Sequence, residues 1–70
     1  MRWQTKHGDK RVQHNGRMAI ISDLKRKGKP LSTGNRFDLK LRDRNGHWTH
    51  KGYGKLELAV KAAELELQHG

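Results

Sequence analysis

The stretch RFDLKLRDRNGHWTHKGYG, residues 36–54, decides the fold, because apolar and polar residues alternate along it with a period of two. Phe37, Leu39 and Leu41 take one parity, while Asp38, Lys40 and Arg42 take the other. Successive side chains of a strand point to opposite faces, so the pattern describes a half-buried β-strand. Asn45–Gly46 follows, a dipeptide that tolerates positive φ at both positions and marks a tight hairpin. A two-residue turn pairs Leu41 with His50 and Asp43 with Trp48, whereas a four-residue loop pairs Leu41 with Trp48. Both registers keep the same parity. On that reading Phe37, Leu39, Leu41, Trp48 and His50 share one face, and Asp38, Lys40, Arg42, Thr49, Lys51 and Tyr53 share the other.

The segment GKLELAVKAAELELQHG that follows has helical periodicity. Leu56, Val60, Ala63 and Leu67 recur at steps of three and four, and Glu57, Lys61, Glu64 and Gln68 form the opposite stripe. Gly54 reads as the N-cap, Glu57 suits the first turn of the helix dipole, and Gly70 closes the helix. The hairpin side with Phe37, Leu39, Leu41 and Trp48 is the one apolar surface of matching size. The expected fold is therefore α+β: a small antiparallel β-sheet, hairpin 36–53, packed on a C-terminal α-helix, 55–68.

The N-terminal half adds a further hairpin and a further helix to that expectation. In RWQTKHGDKRVQH, Gly8–Asp9 reads as a turn, with Trp3, Thr5 and Val12 on one face. In RMAIISDLKRKGKP, Met18, Ile21 and Leu24 fall on a helical stripe that ends in basic residues, Gly28 and Pro30. These signals favour a helix over 17–27, although β-branched Ile20 and Ile21 also suit a strand. Residues 27–35 read as a loop. Gly8 and Gly46, and likewise Gly16 and Gly54, stand 38 positions apart, a faint echo of a duplicated strand–strand–helix unit.

Seventy residues, 31% of them apolar, make one domain (1–70) with a thin core. The absence of cysteine excludes disulfides and thiolate metal sites. MAII, the longest apolar run, is far too short to span a bilayer, and the N-terminus lacks a signal-like apolar segment. A cytoplasmic location, no membrane association and no cofactor are expected. The net charge of +9 is uneven: residues 1–54 hold fourteen Lys or Arg against four Asp, and residues 55–70 hold two Lys against three Glu. A basic body with a near-neutral helical tail points to a polyanionic partner.

A narrow β-ribbon can enter the major groove of duplex DNA. Arg42 and Arg44 would then read bases, since a guanidinium engages guanine O6 and N7 with two hydrogen bonds. Lys40 and Lys51 would anchor phosphates, and Thr49 and Tyr53 would donate to them. Any antiparallel sheet with one solvated face alternates in this way, but the cationic excess on this face favours a ligand. Three other readings stand beside it. One is a phage-type effector that binds a host protein, for which Trp3, Met18 and Ile20 offer apolar surface. A second is RNA binding with Tyr53 as a stacking residue. The third is a small His-dependent RNase with His50 as base, His47 or His14 as acid and Lys51 at the phosphorane.

The segment RFDLKLRDRNGHWTHKGYGKLELAVKAAELEL, residues 36–67, resembles the three-stranded DNA-binding domains of plant ethylene-response transcription factors and the arm-binding domains of phage-type tyrosine recombinases. The likeness rests on the strand Phe37–Arg42, the turn Asn45–Gly46, the pair Gly52–Tyr53, and a helix carrying Ala59, Ala62 and Ala63. It implies exposed sheet residues, Lys40, Arg42, Thr49 and Lys51, in the major groove. It also asks that residues 17–24 be a strand. RDRNGHWTHKGYGKLELAVKAA resembles, more distantly, the DNA-binding end of histone-like nucleoid-structuring proteins, with Lys51-Gly52-Tyr53-Gly54 in place of their minor-groove loop. Together these readings lead to the expectation of a duplex DNA-binding protein, regulatory or architectural, from a phage or mobile element.

Overall fold

In the computed structural model, which describes residues 1–28 and 35–69, five strands pair each with its successor. They are β1 (Gln4–Lys6), β2 (Asp9–His14), β3 (Arg17–Asp23), β4 (Phe37–Arg42) and β5 (Trp48–Tyr53), all antiparallel and in the order β1-β2-β3-β4-β5. One helix, α1 (Leu56–His69), packs across β3, β4 and β5. The α+β sheet-on-helix architecture expected from the alternation at 36–54 is present. No helix among the described residues is long and apolar enough to cross a membrane.

The apolar core comes from the helix-facing parity of β2, β3 and β4. Val12, Ala19, Ile21 and Leu39 meet Ala59, Ala63 and Leu67 of α1 in the core, with Trp3, Phe37, Leu41, Tyr53, Leu56 and Val60 packed around them. Full burial of one such aliphatic side chain is worth roughly 1.5–3 kcal/mol, so a core this small depends on every member. The helical stripe is centred on Ala59, Ala63 and Leu67, whose buried alanines let the helix sit close to the sheet. Glu64 lies on the flank of that stripe, not opposite it, and accepts a hydrogen bond from Trp3 Nε1 at 3.0 Å. The first intrahelical bond, from Ala59 N–H, goes to the Lys55 carbonyl at 3.3 Å, so Lys55 and not Gly54 holds the N-cap position. The closing role expected of Gly70 lies outside the described residues, as do residues 29–34 of the expected loop.

Residues 17–23 form a central strand where a helix was favoured. Two turns decide this. Asn15 and Gly16 both have positive φ (55° and 75°), a two-residue hairpin turn that pairs His14 with Arg17 and commits residues 17–21 to the edge of β2. β4 then pairs along the other edge from Met18–Arg42 to Asp23–Phe37. With neighbours on both sides, alternation places Ala19 and Ile21 inward, and the spacing of Met18, Ile21 and Leu24 has no helix to serve. The helix signals are nevertheless realised over a single turn. The Asp23 carboxylate accepts from the N–H groups of Lys25 and Arg26 (3.1 and 3.3 Å), and the turn stops at Gly28 with φ 70°. The first hairpin turns at His7–Gly8 (φ 53° and 82°), one residue before the expected Gly8–Asp9. β2 leads into a strand and not a helix, so the glycine echo marks no duplicated unit.

The last turn corrects the register of β5. Asn45 does not take positive φ; Gly46 alone does, at 86°. Gly46 N–H donates to the Asp43 carbonyl at 3.1 Å, and Asp43 N–H donates to the His47 carbonyl at 3.0 Å. This is a type I turn with a glycine bulge, the three-residue hairpin loop. It pairs Arg42 with Trp48, Leu41 with Thr49 and Lys40 with His50. An odd-length loop stands between the two even ones expected, so every β5 side chain changes face. Trp48 and His50 join Lys40 and Arg42 on the open side, while Thr49, Lys51 and Tyr53 turn to the helix side.

Candidate nucleic-acid interface

The helix covers one sheet face and leaves the other open, and the registers order what the open face presents. One row across the strands reads Gln4, Arg11, Ile20, Lys40, His50. The next reads Gln13, Met18, Arg42, Trp48. Rows on one face repeat about every 7 Å along a strand, and strands lie about 4.8 Å apart. Arg11, Lys40 and Arg42 therefore stand on one surface with Trp48, which is 49% exposed. The Arg42 guanidinium lies 5.8 Å from the Trp48 ring centroid, a cation–π contact that steadies both groups. Ile20, Lys40, Trp48 and His50 line a shallow hollow of 430 Å³, and a second hollow of 380 Å³ is edged by Arg2, Lys6 and Arg11.

A third row on this face, toward the other strand ends, holds Lys6, Asp9, Ser22, Asp38 and Gly52. Its middle is covered. Lys27 Nζ reaches Asp9 at 2.8 Å, and Asp9 and Ser22 are buried beneath the turn that follows β3. Burial pushes the Asp9 carboxyl up, but hydrogen bonds from Lys27 and Ser22 and the charges of Lys27 and Arg11 outweigh it and hold the group below its ordinary value. Asp38 faces His50 at 3.7 Å. Beyond the strand, the Arg36 guanidinium grips Asp23 with two hydrogen bonds of 2.9 and 3.0 Å. That bond is the main reason the Asp23 carboxyl falls below, and the Arg36 guanidinium rises above, its usual range. Asp9 and Asp23 are thus paired with Lys27 and Arg36, and Arg11 in the row next to Asp9 adds its charge to the Asp9 site.

Of the six residues singled out as nucleic-acid contacts, the structure brings together Lys40 and Arg42. Arg44 lies in the β4–β5 turn, where its Nε donates to the Asn15 carbonyl at 2.8 Å and ties two hairpin turns together. Thr49, Lys51 and Tyr53 occupy the helix side at the sheet edge, and Lys51 Nζ sits 5.7 Å from the Tyr53 ring centroid. The stacking residue expected on the open face is therefore Trp48 and not Tyr53. Arg11, missed in the sequence, belongs to the surface because β3 is a strand: its partner Ile20 aligns it with Lys40. The Asn15–Gly16 dipeptide was the signal for this.

The histidines do not converge. His14 lies at the end of β2 on the helix side, and His50 lies on the open face of β5. His47 belongs to the last turn, beside Asp43 at 3.7 Å. Among the described residues no group of three or more His, Asp or Glu is placed to hold a metal ion. The arrangement instead sets Arg11, Lys40 and Arg42 and one exposed indole, Trp48, on a single sheet face. No protein-family model, curated protein or solved structure matches the chain.

Proposed function

We propose that the chain binds duplex DNA through the open face of its sheet, as a regulatory or architectural protein. The observation that carries the reading is the row geometry: Arg11, Lys40 and Arg42 share the face that α1 leaves uncovered. The strands β3 to β5 span about 10 Å and suit a major groove about 12 Å wide, whereas the full sheet, at about 19 Å, exceeds it. The groove therefore takes the β5 side, Arg42 engages a guanine, and Lys40 meets a phosphate. Arg11, Lys6 and Arg2 fall on the flanking backbone. The order β3–β4–β5–α1 supports the reading, since it supplies the strand before the hairpin that the resembled plant and recombinase domains possess.

A second reading, a single-stranded ligand, is favoured by Trp48 on the open face beside Ile20, because an exposed indole stacks on any base. The two are separated by salt titrations of binding to duplex DNA, single-stranded DNA and duplex RNA in parallel. Duplex DNA is expected to bind tightest, with a steep logarithmic loss as salt rises. The double variant Lys40→Ala/Arg42→Ala is expected to lose at least tenfold in affinity without a change in thermal midpoint. Normal DNA binding by that variant would refute the face assignment. Tightest binding to single strands, lost by roughly 1–3 kcal/mol in Trp48→Ala, would replace the duplex reading with the stacking one.

A further inference from the structure

We propose that the hollow between Ile20 and Trp48 takes the 5-methyl group of a thymine, so that the open face reads thymine as well as guanine. The inference rests on the duplex DNA reading and names a second base for the same surface. It starts from two apolar side chains that the fold does not use. Ile20 and Trp48 belong neither to the core nor to the apolar residues packed around it. Both stand on the face that α1 leaves uncovered, Ile20 half-buried on the central strand β3 and Trp48 exposed on the edge strand β5. Lys40 lies between them in the sheet, paired with Ile20 on one side and His50 on the other. Ile20, Lys40, Trp48, Thr49 and His50 together line one hollow of 430 Å³.

The two hollows of this face differ in lining, and the difference names the occupant. The one at the β1 end is edged by Arg2, Lys6 and Arg11, cations that suit a phosphate. The one beside Trp48 has an isoleucine and an indole for walls, which offer a phosphate little and an apolar group much. In the major groove of duplex DNA the base edges present one apolar group, the C5-methyl of thymine. Guanine, adenine and cytosine show only N7, O6 and amino groups there. An apolar hollow turned to that groove therefore has one base to recognise. Arg42 sets how far away this base lies. It pairs with Trp48 across the ladder, and its guanidinium lies 5.8 Å from the indole centroid. Lys40, inside the hollow, is two positions from Arg42 along β4, a distance of about 7 Å. Successive bases of one strand rise by about 3.4 Å, so the thymine falls within about two steps of the guanine that Arg42 engages.

The first test needs no altered protein, because uracil is thymine without that methyl group. The full chain is titrated with an eighteen-base-pair duplex of repeated TTGCAA, and with the same duplex carrying uracil at every thymine. These duplexes place the variable base one and two steps from guanine. The thymine duplex is expected to bind about fourfold tighter, the worth of one buried methyl group. In Ile20→Ala that preference is expected to vanish, whatever the absolute affinity. Ile20→Val keeps a β-branched apolar wall and is expected to retain it. Equal affinity of the unaltered chain for the two duplexes would overturn the thymine contact and leave the duplex reading standing. So would full preference in Ile20→Ala, since the methyl group would then be read elsewhere. Failure of the duplex reading itself looks different and takes this proposal with it: neither duplex binds, or Lys40→Ala/Arg42→Ala binds both as the unaltered chain does.

Discussion

Asn-Gly closes the β2–β3 hairpin and sits again in the β4–β5 turn, and the two copies of the dipeptide behave differently. At Asn15–Gly16 both residues are left-handed and the loop has two residues. At Asn45–Gly46 only the glycine is left-handed, and the loop gains Arg44. The residue two places before each Asn-Gly makes the difference. Asp43 stands at the first position of a type I turn, and its Oδ1 accepts from the N–H groups of Asn45 and His47, both at 2.9 Å. Gln13 occupies the corresponding place before Asn15 and, with no carboxylate to gather those amides, leaves the turn to backbone geometry. One carboxylate thus selects an odd loop, and the odd loop places Trp48 beside Arg42 on the open face.

The difference between the turns can be tested from its strongest dependence downward. Leu39, 1% exposed on β4, belongs to the core that both hairpins stand on. Leu39→Ala is expected to cost about 2–5 kcal/mol in urea unfolding and to collapse both turns in one transition; separate transitions would show the hairpins to be independent. Next comes the dipeptide itself. Asn15→Ala forces a left-handed alanine and is expected to cost about 1 kcal/mol, while Asn45→Ala changes stability by no more than about 0.5 kcal/mol. Equal costs would mean that the two turns are of one type.

The subtlest test is pH. Hydrogen bonding from the His47 and then the Asn45 backbone, with His47 and Arg17 as favourable charges, holds the Asp43 carboxyl below its ordinary value. A carboxyl lowered in the folded state contributes stability that is present above its unfolded value, about 3.9, and is lost as pH falls through the folded one. The Asn45 and His47 amide resonances are therefore expected to move below about pH 4 while those of Asn15 and Gly16 stay put. In Asp43→Asn that acid response disappears. Movement of both turns together would point to global acid unfolding, and the turns would then have to be compared at higher pH.

Periodicity made α1 and β4 legible, because fourteen helical and six strand residues repeat their apolar positions clearly enough to name the faces. It also brought Lys40 and Arg42 into view. What it left obscure was local chemistry. Met18, Ile21 and Leu24 have helical spacing in a segment that two neighbouring strands hold extended, and spacing carries no information about neighbours. Thr49, Lys51 and Tyr53 were placed by counting through an even loop. A single residue in loop length inverts such a count, and only the Asp43-Arg44-Asn45-Gly46 order, aspartate first and glycine fourth, signals the odd one.

The bond from Trp3 to Glu64 joins residues 61 positions apart, whereas every strand of the sheet pairs with its immediate successor. During synthesis the ladder can close hairpin by hairpin behind the ribosome, each step local and quick. The indole must wait until Glu64 has been made. Until α1 emerges, Trp3, Val12, Ile21 and Leu39 lack their cover, so the nascent sheet passes through an interval with its apolar side bare, when encounters with other unfinished chains are most hazardous.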